Sequence, residues 1–156
     1  MTDLLAALET SSFSAWIRES PSIWAYPTIL TLHTVGLGVL VGASWMVDLR
    51  VLGFGRALPA SVLSRAFPAM WAGFWLNAVT GLLLFAGDPT KATTTLFMWK
   101  LAIVAVGVVL VIVLKRKLSG QPPGGEVVSR GVRALAAASL VLWVAAIAAG
   151  RWMAYV

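Results

Sequence analysis

Four apolar runs, each about twenty residues long and bounded by charged residues or by Gly and Pro, constrain this chain more than any other feature. They cover about residues 23–47, 67–87, 94–114 and 134–150. Each is long enough to cross a hydrocarbon layer of about 30 Å as a helix. In lipid only helices and closed barrels satisfy every backbone N–H and C=O internally. With 60% of the 156 residues hydrophobic and 12% charged, the chain reads as an all-α integral membrane four-helix bundle. Residues 1–156 form a single membrane domain, with no length left for a second.

Ahead of the first span, Leu4, Leu5 and Leu8, then Phe13, Trp16 and Ile17, recur at roughly helical spacing and are interrupted by "TSS". Residues 1–20 therefore read as a short N-terminal interfacial amphipathic helix, in pieces. Asp3 and Glu9 stand where a secretory signal carries positive charge. The mature chain is expected to begin at Met1 or Thr2. In the first span Trp24 and Tyr26 suit the interface, and Pro27 falls in the first turns, where a missing N–H costs little. Phe67-Pro68 marks the expected start of the second span.

The net charge is +6. The basic residues stand at the ends of the apolar runs rather than on one polar face, which argues for topology and against nucleic acid. The first and third connectors carry Arg50, Arg56, Arg65, Lys115, Arg116, Lys117, Arg130 and Arg133, against Arg18, Lys91, Lys100 and Arg151 on the other side. The positive-inside rule then puts both termini outside a bacterial inner membrane. Asp48, at the inner end of the first span, is expected to neutralise Arg50 or Arg56.

Ionisable groups inside spans are expensive, and each is a functional hypothesis. The clear cases are His33, the single histidine, and Lys100. Counted from the span ends at 1.5 Å per residue, His33 and Asn77 lie about 15 Å deep and Lys100 about 9 Å, with Thr80 nearer the surface. One polar layer in the outer half can hold all four. Gly36, one turn after His33, clears volume beside the ring for a flat macrocycle, while Trp71 and Trp99 are aromatic candidates for the pocket lining. A second use of the same residues stays open. His33 can donate to a backbone carbonyl or a threonine, with Gly36, Gly38 and Gly42 serving helix packing and Lys100 snorkelling to the interface.

With no cysteine, one histidine and no carboxylate read within a span, a closed zinc site is excluded for a single chain. Haem brings four nitrogens of its own and asks the protein for one or two axial ligands. His33 is the first choice, and Met70, Met98, a lysine or the His33 of a second copy are options for the other. Copper is the alternative metal, although the Met-x-x-Met and His-rich clusters that favour it do not occur.

The segments "WAYPTILTLHTVGLGVLVGASWMVDLRVLG", "FPAMWAGFWLNAVTGLLLFAGDP" and "LFMWKLAI" resemble a small bacterial four-helix membrane family without assigned function. More remotely they are similar to HemJ-type protoporphyrinogen oxidases and to the membrane domain of CopD-type copper-resistance proteins. The HemJ likeness implies a haem b site using the residues matched here by His33 and Lys100. The chain departs from it in having "DLR" in place of a Pro-Arg after the first helix and no histidine in the third span. The expected function is therefore a b-type haem-binding inner-membrane protein in electron transfer or beside an oxidoreductase. The alternatives are a CopD-like copper handler and a cofactor-free structural subunit. The expected partners are the lipid bilayer and, through Ala- and Gly-rich faces, a second copy or a membrane redox protein.

Overall fold

In a computed structural model the described residues are 2–54, 60–89, 94–119 and 128–152. They form six helices: α1 (Thr2–Glu9), α2 (Ser12–Glu19), α3 (Tyr26–Leu52), α4 (Ala60–Gly87), α5 (Thr95–Ser119) and α6 (Arg130–Trp152). Four of these are long and apolar enough to cross a membrane, over Tyr26–Leu52, Leu63–Gly87, Thr95–Leu118 and Arg130–Trp152. The chain is an all-α membrane four-helix bundle with short helices at its N-terminal end.

The helices outrun the expected spans. α3 begins with Pro27 in its first turn and continues five residues beyond Val47, ending at Gly53, whose φ of 102° is the left-handed conformation that closes a helix. Asp48 and Arg50 are thus inside the helix rather than after it. Pro68 was expected in the first turn of the second span, but α4 starts eight residues earlier and carries it in its interior. Proline is tolerated there because neighbouring groups in a membrane bundle can satisfy the freed carbonyl.

The N-terminal break falls at Thr10-Ser11, where the Ser11 hydroxyl accepts from the Ser14 N–H at 3.2 Å and caps α2. α2 does more than lie along a surface. Its Ser14 hydroxyl donates to the Gly87 carbonyl at 3.1 Å, and Arg18 reaches the same carbonyl at 3.4 Å. Ile17, fully buried, fills the space beside Gly87. A cation and two donors at the last carbonyl of α4 meet both its unpaired acceptor and the negative end of its dipole. Phe13 and Trp16 stay exposed on the other face, as an interfacial helix requires.

Between the long helices, α3 and α4 make the most extensive contact, α5 packs on α6, and α6 packs on α3. The α3–α4 contact is backbone on backbone. A Cβ added at Gly73 would stand 2.6 Å from the Leu40 nitrogen and 2.8 Å from the Gly36 oxygen, and one at Gly36 would stand 2.8 Å from the Asn77 nitrogen. Gly36 therefore serves helix packing, and the volume beside it belongs to α4 rather than to a macrocycle. Gly38 and Gly42, expected to pack helices as a small-xxx-small pair, face open space instead. At the centre, Trp143 of α6 is buried and lies against Gly107 of α5, with Leu40, Val47, Met70, Val111 and Leu114 completing the core.

Alanine at Gly73 or Gly36 is expected to destabilise the bundle by about 1–3 kcal/mol, the usual range for overpacking. Alanine at Gly38 should leave stability unchanged or raise it by up to about 1 kcal/mol through helix propensity. Reversible unfolding in mixed micelles distinguishes the two classes.

Candidate functional site

The tight α3–α4 contact places His33 directly across from the last three turns of α4. Its Nδ1 lies 3.0 Å from the Asn77 carbonyl oxygen and 3.1 Å from the Thr80 hydroxyl. A carbonyl oxygen only accepts, so Nδ1 carries the proton in the neutral ring. The Thr80 O–H is directed to the Leu76 carbonyl at 2.6 Å, which leaves its oxygen free to accept as well. In return the Asn77 side-chain amide donates to the His33 carbonyl at 2.8 Å. Gly81 leaves the room for this: its added Cβ would come within 3.2 Å of the imidazole Cε1.

The pairing is reciprocal between the two backbones, and it meets the imidazole's need for a partner inside the protein. It also fixes the ring's tautomer. With Nδ1 protonated and bonded to a carbonyl, Nε2 keeps the lone pair, the arrangement found for histidines that bind metals through that nitrogen.

Lys100, half-buried on α5, extends along Gly150 of α6, where its Nζ would be 3.8 Å from an added Cβ. Gly150 is in the last turn of α6, so the ammonium stands at that helix's negative end. Measured along the helices, His33 is about 10 Å from the start of α3 and Lys100 about 7 Å from the start of α5.

The remaining candidates lie elsewhere. Trp71 is nine residues from Thr80, about 13 Å along α4, and lines an apolar crevice with Leu40, Met70, Phe74, Val108 and Val111. Met70 in the same crevice is core, at 2% exposure. Trp99 and Met98 are exposed on α5 toward the surroundings of the bundle. His33, Asn77 and Thr80 are joined by hydrogen bonds, Gly36 supports them through the helix contact, and Lys100 stands on α5 beside α6.

A family model of a family of unknown function, DUF6644, matches residues 8–156. The chain belongs to that family. No curated protein and no solved structure matches it.

A second polar cluster gives a weaker sequence signal. Asp48 is fully buried, so a carboxylate does stand inside a span, and among the described residues it forms no ion pair with Arg50. Arg56, the other expected partner, lies outside the described residues. The helix runs on to Leu52, and Asp48 falls on the face of α3 that carries Ser44 and Val51, toward the interior. Ser44 Oγ faces Asp48 Oδ2 at 3.5 Å, the outer limit of a hydrogen bond, and Trp143 Nε1 donates to Ser44 at 3.0 Å. The four-residue spacing of Ser44 and Asp48 was the available signal. Among the described residues no three His, Asp or Glu side chains converge as metal ligands.

In 15N NMR of the purified protein near neutral pH, the neutral His33 ring is expected to show a protonated Nδ1 and a bare Nε2. Asn77→Ala should cost roughly 0.6 kcal/mol and at most about 1.7, the range for an interhelical bond in a membrane protein.

Proposed function

We propose that this protein binds haem b in a bacterial inner membrane, with both termini outside, and passes electrons as or beside an oxidoreductase subunit. The observation that carries the reading is the hydrogen bond from His33 Nδ1 to the Asn77 carbonyl. It leaves Nε2 as a ring nitrogen with a lone pair, already oriented by a second bond that raises its basicity. With one histidine in the chain, iron that already has four porphyrin nitrogens is the metal this donor set suits best.

Bound there, haem would supply a one-electron couple. The protein's part is to hold it and keep it dry. His33 would hold the iron through Nε2, Asn77 and Thr80 would keep the imidazole from rotating, and Lys100 would offset negative charge on the group from α5. Met70, locked in the core, would not take part in holding it. Gly36 would take no part in holding the group, because its neighbouring volume is filled by the α4 backbone. The remote likeness of His33 and Lys100 to the matching residues of HemJ-type proteins points the same way.

Protein purified from haem-replete cells is expected to show a Soret band whose reduced-minus-oxidised spectrum is of the b type. His33→Ala should abolish it, and Trp99→Leu, at an exposed position, should retain it. A wild-type protein without a Soret band, or a band unchanged in His33→Ala, rejects the reading.

A further inference from the structure

The second cluster lies apart from His33, and its chemistry is independent of any haem. Asp48 is 0% exposed, four residues from the end of α3 and so about 6 Å from that end. Ser44 precedes it by one turn, and Ser139 of α6 lies beside it, both buried. Trp143, one turn along α6 from Ser139, holds Ser44 through its indole N–H. That indole has little freedom, because its ring packs on the Gly107 backbone.

The cluster is incomplete as it stands. Asp48 Oδ1 and Ser139 Oγ are buried and close to one another, yet neither completes a well-formed hydrogen bond with a group among the described residues. Ser44 Oγ and Asp48 Oδ2 are 3.5 Å apart, well beyond the usual O–H···O separation of about 2.7–2.8 Å. Two oxygens bound at about 2.4 Å to one hard cation, at right angles, are roughly 3.4 Å apart.

No side chain supplies a counter-charge among the described residues. On the elements packed around this end, Arg65 of α4, Lys115, Arg116 and Lys117 of α5, and Arg130 and Arg133 of α6 are exposed. Lys115 is turned over the Phe67 ring, 5.7 Å from its centre, and Arg50 of α3 makes no ion pair with Asp48. Water can complete hydrogen bonds, but it does not neutralise a carboxylate inside a span. One carboxylate with two hydroxyls is too little negative charge for a divalent ion, which gathers six or more oxygens and usually several carboxylates.

We propose that Asp48, Ser44 and Ser139 form a buried site for one monovalent cation, either a sodium ion or a proton, entered from the end of the bundle that carries the basic connectors. The three side chains bridge α3 and α6, so the bound cation ties the α3–α4 pair to the α5–α6 pair.

The test uses the purified full chain in detergent. Its thermal midpoint is measured in sodium chloride and in choline chloride at equal ionic strength, and proton uptake is followed after acidification with an indicator dye. A saturable rise of the midpoint in sodium, absent in Asp48→Asn and weakened about tenfold or more in affinity in Ser139→Ala, identifies sodium. Uptake of about one proton per chain more than Asp48→Asn takes up, between about pH 8 and 6 where an ordinary aspartate stays ionised, with no sodium effect, identifies the proton. Should the wild type show neither response, or should Asp48→Asn respond as the wild type does, the site is refuted. If Asp48→Asn fails to fold, the wild type decides alone: a midpoint that rises neither with sodium nor as pH falls through neutrality refutes the site.

Discussion

The approach of the α3 backbone to the α4 backbone at Gly36 and Gly73 is the contact on which most of this molecule depends. In lipid the hydrophobic effect does not drive helices together, so close packing and interhelical hydrogen bonds must do so. Here the two act in concert. Only with both side chains reduced to hydrogen do the helices come near enough for the Asn77 amide to reach the His33 carbonyl and for the imidazole to reach the Asn77 carbonyl. A bulkier pair would separate the backbones and take the carbonyl partners away from the imidazole N–H and the Asn77 amide, in a region where an unmet donor is costly.

A second constraint operates through Trp143. α5 touches the rest of the bundle chiefly through α6, and Trp143 stands at that junction, packed on Gly107 to one side and bonded to Ser44 of α3 on the other. The bundle is thus two helix pairs joined along α3 and α6. Its two polar clusters are divided between its ends: His33, Asn77 and Thr80 near α2, and Asp48, Ser44 and Ser139 toward the basic connectors. The α2 helix closes the first of these ends by capping α4 at Gly87, which anchors a segment that would otherwise only float at an interface.

How much of this is legible in the sequence varies with the kind of signal. The four spans and the N-terminal helices come from apolar run length and spacing, which depend on the solvent and hardly on neighbours. His33 is conspicuous because a single imidazole in an apolar run has few alternatives, and counting residues places Asn77 at a matching depth and Thr80 about a turn nearer the surface. Pro68 misleads because proline is a starting signal in water and a tolerated interior residue in a bundle. Asp48 misleads because the "DLR" motif resembles a helix terminus, and nothing local says that α3 runs another turn with its carboxylate turned inward.

The glycines divide the two kinds of knowledge most clearly. From the sequence alone, the spacing and composition determined an all-α membrane bundle with His33 and Lys100 inside its spans, because hydrocarbon imposes its requirements on every chain. Which glycine faces a partner depends on the rotation of each helix about its axis. That rotation is set by the contact between two segments some forty residues apart, and only the tertiary structure decided it: Gly36 and Gly73 meet, whereas Gly38 and Gly42 face outward.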